Sequence, residues 1–367
     1  MSEDLLNDLD DKMGVDIPKE KRYLNTASYD FSVNSLVDFM GGDIPKIILA
    51  VPFQRNFIWK SDRASQLVES VIMNVPIPPL YFAEEENYRW LVIDGLQRLN
   101  SLLSYFQNEF ALQNLEIIKD LEGMKYKDLP PKPKSLLRDG LMRVNVIKED
   151  SHPDIKYDIF MRLNKGSVTL NYQELRNCLY RGHLNDQTRE YVAKNKEFQK
   201  VLNLKQAHPR FLDVELIMRI FALKDNIVIN DEGNYYIKSY SGRMVNFINS
   251  YMDSTKSVSR ENAIIKVGEF NEAVEKAILV FGYQQIFKDE TAKIKRFNKS
   301  IAEFILLSFM DYSKETLIRN KDIIRELLSD LLTGNDEFKR SISQNTSDKD
   351  VVNFRINLWL KSLKNVL

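Results

Sequence analysis

Asp94-Gly95-Leu96-Gln97-Arg98 combines, within five positions, a carboxylate, a glycine corner, an amide and a guanidinium. Glycine permits a tight turn. If a helix starts there, its first amides lack internal partners and favour an anion. Arg98 would add a permanent charge and a planar fork suited to phosphate. Asp94 would add a carboxylate. The same five residues would also make a plain turn, in which Asp94 caps the helix and Arg98 pairs with a carboxylate. Two other segments carry chemistry of a matching kind. Gln54 and Arg55 sit in Val51–Trp59 after a strand pattern, and loops at strand ends gather binding residues in open α/β layouts. Asn164, Lys165 and Gly166 follow a helix pattern, and Asn164 and Gly166 both tolerate a left-handed backbone. They read either as a helix C-cap or as one rim of an anion site.

The elements that must position these groups are legible in the pattern. Tyr88–Asp94 reads as a strand, and a helix from about Gln97 carries Leu99, Leu102, Leu103 and Phe106 at spacings of three and four. Leu80-Tyr81-Phe82 forms a hairpin with that strand across Glu84–Asn87, whose acidic tip reads as solvated. Ser32 is expected to cap a short helix ended by Gly41-Gly42. Lys46–Val51 and Leu141–Ile147 read as strands. Ser61 is expected to cap a helix stopped by Pro76, and Pro130–Pro133 to punctuate a loop. Pro153 opens a helix through Leu163, and Asn171 with Glu174 makes a capping box for 172–181. From about 200 onward, segments 212–224, 241–252, 260–281, 297–312, 314–332 and 349–365 carry helical periodicity with few strand signals. The expected organisation is therefore α+β: an arm over 1–22, a mixed α/β domain over 23–185 and an α-helical domain over 200–367. Lys293, Lys295 and Arg296 form a small basic cluster read as a solvated helix start.

Composition narrows the function classes. The 367 residues are 44% hydrophobic and 28% charged, as in an ordinary soluble globular protein. Lys+Arg and Asp+Glu both number 52, so the formal net charge is zero. No global basic field draws the chain to nucleic acid, and DNA contact would need a local patch. The single cysteine, Cys178, rules out an internal disulfide and a Cys-rich zinc site. The acidic N-terminus lacks a secretory signal, and no apolar run approaches the roughly 20 residues that span a bilayer. Cytoplasmic residence and no membrane partner are expected. P-loop, dinucleotide-fingerprint and nucleophile-elbow motifs are absent.

Pro52-Phe53-Gln54-Arg55 followed by Trp59, then Ser70–Pro79, then Asp94–Leu99, resemble the N-terminal domain of GmrSD-type restriction endonucleases, in the wider ParB/sulfiredoxin-like class. Phe160–Leu170, Glu174–Asn177, His208–Phe211 with Asp213–Arg219, and Tyr240–Met244 resemble the family as well. The resemblance implies a ParB/sulfiredoxin-like fold in the first domain and nucleotide binding or hydrolysis in bacterial defence against foreign or modified DNA. Carried over residue by residue, it implies Asp94 and Arg98 as catalytic residues. Gly95, Gln97, Gln54, Arg55, Asn164, Lys165 and Gly166 would bind the nucleotide, and Asp94 would hold Mg²⁺.

Two departures stand out. The family usually has Gln where this chain has Leu96. Many relatives also carry an HNH nuclease domain, which needs a histidine base beside a metal. The three histidines, His152, His183 and His208, show no such surroundings, so that domain is expected to be absent. Three readings stay open. The first is an NTP-dependent sensor or switch, an NTP hydrolase working with a separate nuclease or effector subunit. The second is a metal-dependent DNA nuclease using Asp94. The third is a non-catalytic interaction protein with a weakened nucleotide site.

Overall fold

The computed structural model describes residues 23–49, 59–85, 88–151, 171–289, 291–292 and 296–367, with positions 155, 159 and 162. The expectations placed on 1–22, Gln54, Arg55, His152, Asn164, Lys165, Gly166, Lys293 and Lys295 lie outside the described residues. The described residues fall into two compact units, one preceding Asn171 and the other comprising Asn171–Leu367.

The first unit runs β1 (Thr26–Ser32), α1 (Val33–Met40), β2 (Ile47–Ile48), α2 (Ser61–Ile72), β3 (Leu80–Glu84), β4 (Trp90–Asp94), α3 (Leu96–Phe106), α4 (Pro131–Asp139) and β5 (Leu141–Ile147). Its five strands lie in the order β1-β5-β3-β4-β2. β5 is antiparallel to β1 and parallel to β3; β4 is antiparallel to β3 and parallel to β2. The core joins Leu80, Phe82, Trp90, Val92, Val144 and Val146 of the sheet to Leu99, Leu102 and Tyr105 of α3. Ser32 caps α1 as expected, its hydroxyl accepting from the Ser35 amide at 3.1 Å, and Gly41 closes the helix.

Some local expectations need correction. Ser61 is the first helical residue of α2; Lys60 is the cap and makes no side-chain cap bond. That helix ends at Ile72, ahead of Pro76, because Asn74 takes a left-handed backbone (φ 55°). Pro131 opens α4 instead of sitting in a loop: proline suits a first helical position, where its missing N–H costs nothing.

The second unit continues with α5 (Tyr172–Leu179), α6 (His183–Lys194), α7 (Lys196–Val201), α8 (Leu212–Asp225), β6 (Ile227–Ile229), β7 (Tyr235–Ile237), α9 (Met244–Ser254), α10 (Arg260–Gln285), α11 (Lys299–Phe309), α12 (Lys314–Arg319), α13 (Lys321–Gly334), α14 (Asp336–Ser341) and α15 (Lys349–Val366). The β6–β7 hairpin interrupts the expected run of helices. Asp231-Glu232-Gly233-Asn234 is a turn signal between two β-rich triplets, and Gly233 supplies the positive φ of 74°. The expected helix over 314–332 is two helices meeting at Asn320. α5 opens with the expected Asn171–Glu174 capping box. It belongs with the helical unit, because Arg176 is buried there on Glu215 of α8.

α8 and α11 are buried on nearly every side. They bring charge into the core: Glu303 of α11, fully buried, pairs through one oxygen with Arg219 of α8 and through the other with Arg355 of α15 at 3.1 Å. Arg355 also donates to the Ser341 and Thr346 carbonyls at 2.6 and 3.3 Å. Among the described residues, no helix is long and apolar enough to cross a membrane.

Candidate functional site at the strand-to-helix corner

The strand, the glycine and the helix occur in the expected order. β4 meets β3 out of simple register: Tyr81 opposes Asp94 while Phe82 opposes Val92, so Ile93 is an extra residue in β4. A bulge of this kind bends the strand and re-aims the side chains beyond it. Asp94 ends the strand with its side chain 44% exposed, although the four residues before it are buried.

Gly95 is required twice. Its backbone is left-handed (φ 100°, ψ 8°), a region costly for other residues. A Cβ there would also meet Leu80 Cδ2 at 2.2 Å and Arg98 Nη2 at 3.3 Å. Leu80 is fully buried.

Gly95 leaves α3 without a side-chain cap. The first helical bond runs from the Leu99 amide to the Gly95 carbonyl at 2.9 Å. The amides of Leu96, Gln97 and Arg98 therefore have no carbonyl of their own helix to bond, and the positive end of the helix dipole lies with them. Asp94 does not cap this turn, contrary to the plain-turn reading.

Arg98 does pair with a carboxylate as that reading required, and the carboxylate is Asp94. Nη2 donates to Asp94 Oδ2 at 2.9 Å and to the Pro79 carbonyl at 3.3 Å, and Nη1 donates to the Pro78 carbonyl. Arg98 is 9% exposed. Burial pulls its guanidinium below the ordinary arginine value, and Asp94 and Tyr81 oppose that pull. The Arg98 fork thus grips the chain leading into β3 and orients Asp94. The other Asp94 oxygen, Oδ1, makes no hydrogen bond with a described residue.

Gln97 holds a second segment: its Oε1 accepts the Trp59 amide at 3.1 Å. Leu96 packs against the core of the first unit, which accounts for an apolar residue at that position.

Of the expected site residues, the structure thus brings together Asp94, Gly95, Gln97 and Arg98. Gln54, Arg55, Asn164, Lys165 and Gly166 lie outside the described residues. In the second unit a buried polar network forms that sequence reasoning did not foresee. Arg176 donates to Asn249 Oδ1 at 2.8 Å, Glu215 Oε2 at 2.9 Å and Gln173 Oε1 at 3.2 Å. Arg210 reaches Glu174 at 3.2 Å, and Asp213 accepts the His208 amide at 2.7 Å. The Arg210 amide donates to His208 Nδ1 at 3.1 Å. These contacts join α5, α8, α9 and the loop before α8. The legible signal was the density of Arg, Asn and Glu inside segments of helical periodicity. Among the described residues, no group of three or more His, Cys, Asp or Glu side chains could hold a metal ion.

A mixed sheet delivering a carboxylate and an uncapped helix start to one corner, followed by a helical unit, defines an α+β protein. Residues 38–181, which contain the whole corner, match the family model of the GmrSD restriction endonuclease N-terminal domain. No curated protein and no solved structure matches the chain.

Proposed function

We propose that this protein is an NTP-dependent sensor or switch of a restriction-like bacterial defence system acting on foreign or modified DNA, with the triphosphate bound at the Asp94–Arg98 corner. The observation that carries the reading is the pairing of an uncapped α3 start with a half-exposed Asp94 carboxylate. The amides of Leu96, Gln97 and Arg98 offer donors to phosphate oxygens. Asp94 supplies one carboxylate, which suits Mg²⁺ carried in on phosphates better than a metal held by protein groups alone. That donor set favours the nucleotide reading over a nuclease centre in this corner. Mg²⁺ bound there would neutralise charge on the phosphates. Arg98 acts from behind, fixing one Asp94 oxygen and leaving the other toward the ligand.

Phosphoryl transfer asks mostly for positioning and charge stabilisation, so such a corner is chemically sufficient for slow hydrolysis. The domain name of the matched family supports a restriction setting. DNA and a separate nuclease or effector subunit are the partners proposed. The test is nucleotide binding and turnover with Mg²⁺, with and without DNA, in wild type and Asp94→Asn. Loss of nucleotide affinity in Asp94→Asn supports the reading; wild-type protein that binds no nucleotide overturns it.

A further inference from the structure

Resting on the nucleotide reading above, we infer that Gln97 is a positioning residue: its side-chain carbonyl pins Trp59 to the first turn of α3. The bond from the Trp59 amide to Gln97 Oε1 is 3.1 Å long and links positions 38 apart in sequence. A backbone N–H can only donate, so the oxygen end of Gln97 must face Trp59 whatever the assignment of the side-chain amide.

Trp59 is held from two further directions. Its indole packs against the core of the first unit. The Arg63 guanidinium lies over its ring, 4.4 Å from the centroid. Three independent holds on one residue, just before α2 begins at Ser61, fix where the chain enters that helix relative to α3. Arg98 does the same for the Pro78-Pro79 stretch that enters β3. Arg98 and the side-chain oxygen of Gln97 are thus both engaged with neighbouring segments. What the corner presents to a ligand is then chiefly backbone amide and the Asp94 carboxylate, with Arg98 and Gln97 Oε1 turned to the chain. Recognition of this kind reads charge and phosphate shape in preference to the base.

Gln97→Glu and Gln97→Leu separate the roles. Glu keeps an oxygen acceptor for Trp59 and loses the amide donor; Leu loses both. Amide hydrogen exchange at Trp59 is measured in the full-length protein, beside the affinity for a magnesium–NTP. The expected result is Trp59 exchange about two- to tenfold faster in Gln97→Leu and near wild type in Gln97→Glu. Nucleotide affinity should follow the same order, with Gln97→Glu binding more tightly than Gln97→Leu. A phosphate-ligand role predicts the reverse order, because a new carboxylate would face the phosphates, and that order overturns the inference. Equal Trp59 exchange in Gln97→Leu and wild type overturns it too. If wild type binds no nucleotide, the function proposed above fails, and the exchange data alone decide the role of Gln97.

Discussion

Replacing Gly95 by alanine separates two costs that this corner imposes on any side chain. The first is conformational. At φ 100° an alanine pays about 1–2 kcal/mol for left-handed backbone. The second is steric. The new Cβ would lie 2.2 Å from Leu80 Cδ2, and Leu80 is fully buried in the sheet core. Overpacking of that kind costs about 1–3 kcal/mol. The expected loss for Gly95→Ala is therefore about 2–5 kcal/mol. Gly42→Ala provides the control, since Gly42 has φ +82° and an added methyl there would meet nothing within 4 Å, so only the backbone cost applies. Free energies of opening from amide exchange in β3 and β4, with urea unfolding of the whole chain, give both values. Leu80→Ala in the Gly95→Ala background should recover part of the steric cost, making the double variant about 1–3 kcal/mol less destabilised than the sum of the singles. A Gly95→Ala variant no less stable than Gly42→Ala would refute the close-packed corner. Additive effects with Leu80→Ala would refute the named contact.

Three further outcomes are expected. Glu303→Gln leaves the buried Arg219 and Arg355 without their shared counter-charge and should destabilise the helical unit by about 3–5 kcal/mol, read as a fall in thermal midpoint; a change under about 1 kcal/mol would show the triad to be dispensable. Burial raises the Glu69 carboxyl, but the amides of Ile117, Ile118 and Glu116, which it accepts at 2.8, 2.9 and 3.2 Å, outweigh that and set it below its ordinary value. Its contribution is therefore full above the unfolded carboxylate value, about pH 4–4.5, and disappears as pH falls through the lower folded value. Glu69→Gln should be less stable at neutral pH and should flatten the acid limb of a stability–pH curve; an unchanged limb would count against the contribution of Glu69. Arg98→Lys keeps the charge and loses the fork that grips Pro78, Pro79 and Asp94, so it should cost about 1.5–3 kcal/mol in urea unfolding, and a neutral effect would remove Arg98 from its clamping role.

The corner itself was legible because two periods meet at a glycine: β-rich Trp90–Asp94, then Leu99 and Leu102 at helical spacing. β5 appeared at its expected bounds, Leu141–Ile147, for the same local reason. What the sequence could not convey was the direction of the polar side chains. Arg98 looked like a phosphate fork, and besides Asp94 its partners prove to be two proline carbonyls twenty and nineteen positions away, supplied by a tertiary contact with no local signature. Gln97 looked like a ligand and holds Trp59 for the same kind of reason. The bulge at Ile93 depends on pairing with β3 and leaves no mark in β4 alone. In the helical unit, the periodic apolar residues marked the helices. The Arg–Glu network of α5, α8, α11 and α15 links positions far apart in sequence and was invisible to periodicity.

At the centre of the proposal, the uncapped start of α3 and Asp94 Oδ1, which no described residue bonds, together hold a magnesium–triphosphate. Calorimetric titration of a panel of NTPs into the full chain, with Mg²⁺ and with EDTA, in wild type and Asp94→Asn, tests it most directly. Asn can still accept from Arg98 Nη2, so the corner should keep its shape while losing its charge. The expected result is saturable, Mg²⁺-dependent binding of at least one NTP, weakened about 10- to 100-fold in Asp94→Asn. Absence of binding in wild type, or binding indifferent both to Mg²⁺ and to Asp94→Asn, would contradict it.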